Sequence, residues 1–198
     1  MTLQEELNRE QMALMRKRLK SGDALWRDNV TGLIYDKGKE YNPRVVELAV
    51  QRWRPEVPVV YAEGDLANLS GLNRKLAQSG ADKVMAYLVG IYRQVFEALD
   101  ADVVFLRKGG DEFGLTTVGA PKDRVVLAVD NATARVLPYL KERGLDSLPH
   151  TKSGMPAGTG LRFEVVQYDP AVHRNASELL DDAEKGLEEL KEIDIYGR

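Results

Sequence analysis

The stretch Ala101–Val118, ADVVFLRKGGDEFGLTTV, decides how this chain is read. Val103, Val104 and Phe105 begin one β-rich run, Leu115 to Val118 close another, and Gly109-Gly110 lies between them. Consecutive glycines can take the positive φ angles of a tight turn, so the pattern predicts a β-hairpin with Asp111-Glu112 at its tip. Upstream, Val57–Ala62 (VPVVYA) is short and nearly all apolar, the pattern of a buried strand. It leads directly to Glu63-Gly64-Asp65. Asp65 is expected just after that strand, where α/β proteins often place their chemistry. If this strand lies beside the hairpin, Asp65, Asp111 and Glu112 converge at one end of a sheet.

Helical patterns surround these strands. Ala81–Leu99 carries Val84, Met85, Leu88, Ile91, Tyr92, Val95, Phe96 and Leu99 at helical spacing, which predicts a long core helix. Pro121 to Arg143 predicts a second, with Gly144 as its stop and Pro138 as a possible kink. PRVVELAVQRW, residues 43–53, puts Val46, Ala49, Val50 and Trp53 on one face behind a proline start. Residues 147–160 read as a loop, Leu161–Tyr168 as a strand, and Ser177 to Ile193 as a final acidic helix. Between Leu3 and Lys20, Leu7, Met12, Leu14, Met15 and Leu19 predict an amphipathic helix stopped by Ser21-Gly22-Asp23. Two heptads favour packing on its own domain over a coiled coil. The fold class expected is an α/β sandwich with a mainly antiparallel central sheet flanked by helices.

Composition narrows the function. The chain has 198 residues, 43% hydrophobic and 30% charged, enough for one well-buried domain. With 28 Lys plus Arg against 31 Asp plus Glu, the net charge is −3, so generic nucleic-acid binding is not expected. There is no cysteine, which removes disulfides, thiolate metal sites and cysteine nucleophiles. The two histidines, His150 and His173, lie far apart in turn-rich contexts and are expected on the surface, not at a zinc. No stretch has the length of a membrane helix and MTLQEELNRE is not a secretory signal, so a soluble, cytoplasmic protein without a membrane partner is expected.

A cluster of carboxylates without His or Cys favours a hard divalent cation, Mg²⁺ or Mn²⁺. Such metals beside a glycine turn suit phosphoryl transfer, because they activate a hydroxyl and offset charge on a leaving pyrophosphate. Gly109 and Gly110 would let the backbone come close to a substrate. Taken alone, Gly-Gly-Asp-Glu is equally a solvated hairpin tip.

Arg107 followed by Gly109-Gly110-Asp111-Glu112-Phe113 resembles the signature of the GGDEF family of diguanylate cyclases. Three further anchors follow in order. Asp28-Asn29-Val30-Thr31-Gly32-Leu33 resembles the Asp-x-Leu-Thr-Gly-Leu that opens the domain. The family's metal segment, Asp-x-Asp-x-Phe-Lys-x-x-Asn-Asp, lies on Asp65 through Arg74 and keeps Asp65 and Asn73, and its later Gly-Asp pair falls on Ala81-Asp82. Leu179-Leu180-x-x-Ala183-Glu184-x-x-Leu187-x-x-x-Lys191 resembles the C-terminal helix. The resemblance implies a palm-like nucleotidyl-cyclase fold over residues 27–198, preceded by the N-terminal amphipathic helix of residues 1–26 with no sensory module.

It also implies residue roles. Asp65, Asp111, Glu112 and the carbonyl of Leu66 would hold Mg²⁺ or Mn²⁺, with Asp65, Asp111 and Glu112 as the catalytic set. Glu112 would assist the metal or deprotonate the attacking 3′-hydroxyl. Asn73 and Asp82 would read the guanine edge, Gly109 and Gly110 would line the GTP site, and Lys191 would meet the triphosphate. The reaction implied is condensation of two GTP into cyclic di-GMP across a homodimer.

The chain departs from the pattern at several positions. The second Asp of the metal segment is Ala67, its Phe is Leu69, its phosphate-binding Lys is Ser70 and its last Asp is Arg74. Arg74 or Lys75 would be the nearest substitutes for that lysine. The usual Gly-His is Ala77-Gln78, the Ser-x-Gly of the later strand falls on Phe163 and Val165, and the final Gly-Arg-Asn is missing. The inhibitory Arg-x-x-Asp falls on Asp100 and Val103, so product feedback there is not expected. These departures carry a second reading, a catalytically degenerate domain that binds a nucleotide or a partner protein.

Overall fold

A computed structural model describes residues 27–36, 40–51, 56–154 and 156–196. The helix expected within residues 1–26 lies outside the described residues, as does Trp53. The described elements are β1 (Ile34–Tyr35), α1 (Tyr41–Gln51), β2 (Val59–Ala67), α2 (Leu69–Glu97), β3 (Asp102–Gly109), β4 (Glu112–Val118), α3 (Lys122–Glu142), β5 (Gly160–Gln167) and α4 (Ala176–Tyr196). The sheet order is β1-β3-β4-β2-β5. Every neighbouring pair is antiparallel except β1 with β3. The result is the mainly antiparallel α/β sandwich that the sequence predicts.

Alternation across the pleat sorts β2 between two apolar layers. Val60, Ala62 and Leu66 join the principal core with Leu72, Leu88 and Phe96 of α2 and Val125 and Ala132 of α3. Tyr61 faces the opposite way, toward Val46 of α1 and Leu179 and Ala183 of α4. All nine residues of β2 are buried, because helices cover both faces, and this is why its sequence reads as a nearly unbroken apolar run. Phe163 centres an aromatic cluster, with its ring 5.6 Å from Tyr92, 5.7 Å from Phe96 and 6.1 Å from Phe105.

Several boundaries differ from the sequence reading. Strand β2 continues to Ala67, so Asp65 lies within it and not beyond its end. Helix α1 starts two residues before Pro43 because the fully buried Asp36 carboxylate accepts the N–H groups of Glu40, Tyr41 and Asn42, acting as a cap from outside the helix. Helix α2 starts at Leu69, well ahead of Ala81, and bends at Ala77, whose φ of 55° and ψ of 171° are not helical. Gly109 and Gly110 do not adopt positive φ; an irregularity in the β3–β4 register between Arg107 and Gly109 shapes the approach to the turn instead. His173 is buried, not superficial: its Nδ1 accepts the N–H of Asp169 at 3.1 Å.

Candidate functional site

Strand register brings the acidic residues together. Asp65 on β2 lies opposite Glu112 on β4 and, on its other side, opposite Arg162 on β5. The Leu66 N–H donates to the Asp111 carbonyl at 2.9 Å, which ties the hairpin tip to β2. Burial, then the neighbouring Asp65 and Glu112 charges, push the Asp111 carboxyl above the usual carboxylate range. The convergence of Asp65, Asp111 and Glu112 is therefore a property of the fold.

Two cations meet this cluster. Arg162 donates to Asp65 Oδ2 from Nη2 at 2.9 Å and from Nε at 3.3 Å. Lys191 of α4 places Nζ 3.9 Å from Asp65 Oδ1 and 2.6 Å from Glu188 Oε1. Burial disfavours the Lys191 ammonium, but Glu188 and Asp65 outweigh it, so Lys191 keeps its proton to higher pH than an ordinary lysine. The sequence resemblance named Lys191 and missed Arg162. Arg162 carried one weak signal, a charged residue near the start of a β-rich run, and only the register of β5 on β2 makes it legible.

Arg107 fixes the hairpin from beneath. Its guanidinium donates to the Gly110 carbonyl, from Nε at 2.9 Å and also from Nη2, and its Nη1 lies 2.8 Å from Asp28 Oδ1. Asp28 Oδ2 in turn accepts the N–H and hydroxyl of Thr31, both at 2.6 Å. Burial alone would raise the Asp28 carboxyl, but the Thr31 bonds and Arg107 together hold it below its ordinary value. The opening Asp28–Leu33 segment and the signature hairpin are thus one hydrogen-bonded unit.

Asn73 and Asp82 both lie on α2, half-buried and on opposite sides of the Ala77 bend. Among the described residues, neither side chain has a hydrogen bond or ion pair, so both are available to a ligand. The start of α2 is committed differently. Asn68 accepts the Gly71 N–H, and its amide nitrogen lies 3.3 Å from the carbonyls of Leu148, Pro149 and Ala157. Ser70 bonds Thr151 at 2.9 Å. Lys75 donates to the Gly144 carbonyl at 2.7 Å and the Arg143 carbonyl at 3.2 Å, closing the end of α3.

A second buried network also lay beyond sequence reading. Tyr61 donates to Glu63, Asn42 donates to Tyr61 at 2.9 Å, and Lys108 pairs with Glu63 at 2.6 Å. Burial raises the Glu63 carboxyl, opposed by Lys108 and Tyr61.

The donors expected for Mg²⁺ or Mn²⁺ are hard oxygens, but their arrangement does not suit a divalent ion. Among the described residues no group of three acidic or histidine side chains is placed to hold a metal. Both Asp65 oxygens face protein cations, and Ala67 supplies no second carboxylate.

No family model matches the sequence, and no curated protein matches it. Solved structures do match. The GGDEF domain of DgcB from Caulobacter crescentus in complex with c-di-GMP is 15% identical with a TM-score of 0.61, over 84% of this chain and 90% of that one. The FimX GGDEF domain from Pseudomonas aeruginosa is 21% identical with a TM-score of 0.57, over 82% and 91%. The active GGEEF domain of a diguanylate cyclase from Vibrio cholerae is 14% identical with a TM-score of 0.55, over 75% and 86%. With the hairpin signature in place on the matching sheet, the chain has the fold of the GGDEF domains.

Proposed function

We propose that this chain is a guanine-nucleotide-binding domain that keeps the cyclase framework without carrying out the metal-dependent condensation. The observation that carries this reading is a contrast between two sets of side chains. Asn73 and Asp82, the candidates for reading guanine, are uncommitted. Lys75, one of the two candidates to replace the family's phosphate-binding lysine, is bonded to the end of α3, and Ser70, which stands where that lysine would be, bonds Thr151. A carboxylate and an amide together match the donor and acceptor pattern of a guanine edge. Lys191 and Arg162 supply positive charge for the phosphates at the end of β2.

A second reading is the diguanylate cyclase itself, acting as a homodimer on GTP with Mg²⁺ or Mn²⁺. It is favoured by the convergence of Asp65, Asp111 and Glu112 beside Lys191. Incubating the purified protein with each NTP and either metal, then identifying products by mass spectrometry, separates the two. The proposal expects no cyclic di-GMP while GTP binding is measurable by calorimetry. Cyclic di-GMP formed by the parent and not by Asp111→Ala would establish the cyclase.

A further inference from the structure

We propose that the cleft between α1 and α4 binds a small organic cation, an ammonium or guanidinium group carried on an apolar stem, at a site separate from the hairpin and independent of the nucleotide reading. The cleft holds about 520 Å³, a volume within the range of small-molecule sites. Its walls come from α1 and the first half of α4, and the sheet contributes Glu63 of β2 and Lys108 of β3. The Glu63 and Lys108 side chains are 5% and 16% exposed. A buried ion pair of this kind adds little stability over apolar residues of the same volume, and neither group serves the carboxylate cluster around Asp65. Polar groups with shifted proton affinity gathered at a cleft are the mark of a binding site.

The sign of the ligand follows from the charges that stay unmatched. Glu63 is balanced by Lys108 at 2.6 Å, and Glu47, on the α1 wall, by Arg44 at 2.6 Å. Asp181 and Glu184 border the same cleft, and among the described residues neither has a hydrogen bond or an ion pair. Three residues apart on α4, they share one face of the helix. The Glu184 charge is felt deep in the cleft: burial above all pushes the Glu63 carboxyl and the Tyr61 hydroxyl up, and Glu184 adds to both shifts. A bound anion would meet this negative field, whereas a cation relieves it. Pro43 of α1 and Leu180 of α4 also line the cleft, so an alkyl stem has apolar surface to cover. Asn42, 1% exposed, stands in the same wall; its Nδ2 donates to Tyr61 while its Oδ1 has no hydrogen-bond partner, an acceptor that the fold itself leaves unsatisfied.

The test titrates the full chain with butylammonium, methylammonium and butyrate, followed by saturation-transfer NMR on the ligand and by calorimetry. Butylammonium should bind and butyrate, the same stem with the opposite charge, should not. Methylammonium keeps the charge but loses three methylenes, and should bind about tenfold more weakly or worse. Asp181→Asn and Glu184→Gln should each weaken butylammonium roughly fivefold, the effect of one exposed charge, and more in combination. Glu189→Gln removes a carboxylate of α4 that does not line the cleft and should leave binding unchanged. All three positions are exposed, so the ligand-free Tm should be kept, and the comparison of the three probes on the parent stands even without the variants. Absence of butylammonium binding, equal binding of butyrate or of methylammonium, or unchanged affinity in the folded double variant would overturn the proposal.

Discussion

Replacing Ala77 with glycine gives a prediction whose sign opposes the ordinary expectation for a helix. Ala77 lies within the span of α2, where Ala→Gly normally costs about 1 kcal/mol. Its φ of 55° and ψ of 171° are instead in a region open to glycine and costly, by roughly 1–3 kcal/mol, for a residue with a Cβ. The side chain is exposed, so truncating it loses little packing. Against the relief stands the extra freedom of glycine in the unfolded chain, about 0.5–1 kcal/mol. The balance is a gain of roughly 1 kcal/mol, which for a domain of this size raises Tm by about 2–4 °C. Ala134→Gly is the control, since Ala134 is exposed within regular α3 and should lose about 1 kcal/mol. Scanning calorimetry and urea unfolding measure both variants. Equal losses in the two would show that residue 77 is ordinary helix and would refute the bend.

Other predictions concern the framework of the site. A Cβ added at Gly64 would lie 2.3 Å from Phe163 Cε1, and the surrounding aromatic cluster leaves that ring little room to move, so Gly64→Ala should lose about 1–3 kcal/mol in urea unfolding; an unchanged midpoint would show that the ring yields. Asp28→Asn should destabilise the fold at pH 7. Because the Asp28 carboxyl is held below the ordinary Asp value of 3.8, its contribution is present above that pH and lost as pH falls through the folded value, so parent and variant should converge in acid; a constant difference would contradict this. Lys108→Ala strands the buried Glu63 carboxylate, a loss on the order of 3 kcal/mol. Glu63 is already raised by burial, so removing the lysine should raise it further, and Tm measured from pH 5 to pH 8 should show a deficit that grows with pH; a flat deficit would mean that packing, not charge, is lost.

What could be read from the chain was local. The β3–β4 hairpin, the apolar run of β2 and the long faces of α2 and α3 follow from periodicity and turn residues within each segment. Asp65, Asp111 and Glu112 could be placed together because the strands that carry them are adjacent. Residues 69–80 hide a helix, since Gly71, Gly80 and the bend at Ala77 break its pattern. The two-residue β1 has too little sequence to show alternation. Arg162 was missed for a different reason: its significance depends on register between strands nearly a hundred residues apart, Asp65 on β2 and Arg162 on β5. Lys75 likewise read as a substitute for the phosphate-binding lysine, and only the packing of α2 on the end of α3 shows it engaged by the Arg143 and Gly144 carbonyls.

The central claim is that the framework binds a guanine nucleotide through Asn73 and Asp82. Calorimetric titration of the full chain with GTP and with ATP, repeated on Asp82→Ala, tests it most directly. The account predicts that GTP binds more tightly than ATP and that the preference disappears in Asp82→Ala while the Tm of the nucleotide-free protein is kept. Equal affinity for both nucleotides, no binding of either, or an undiminished GTP preference in Asp82→Ala would contradict it.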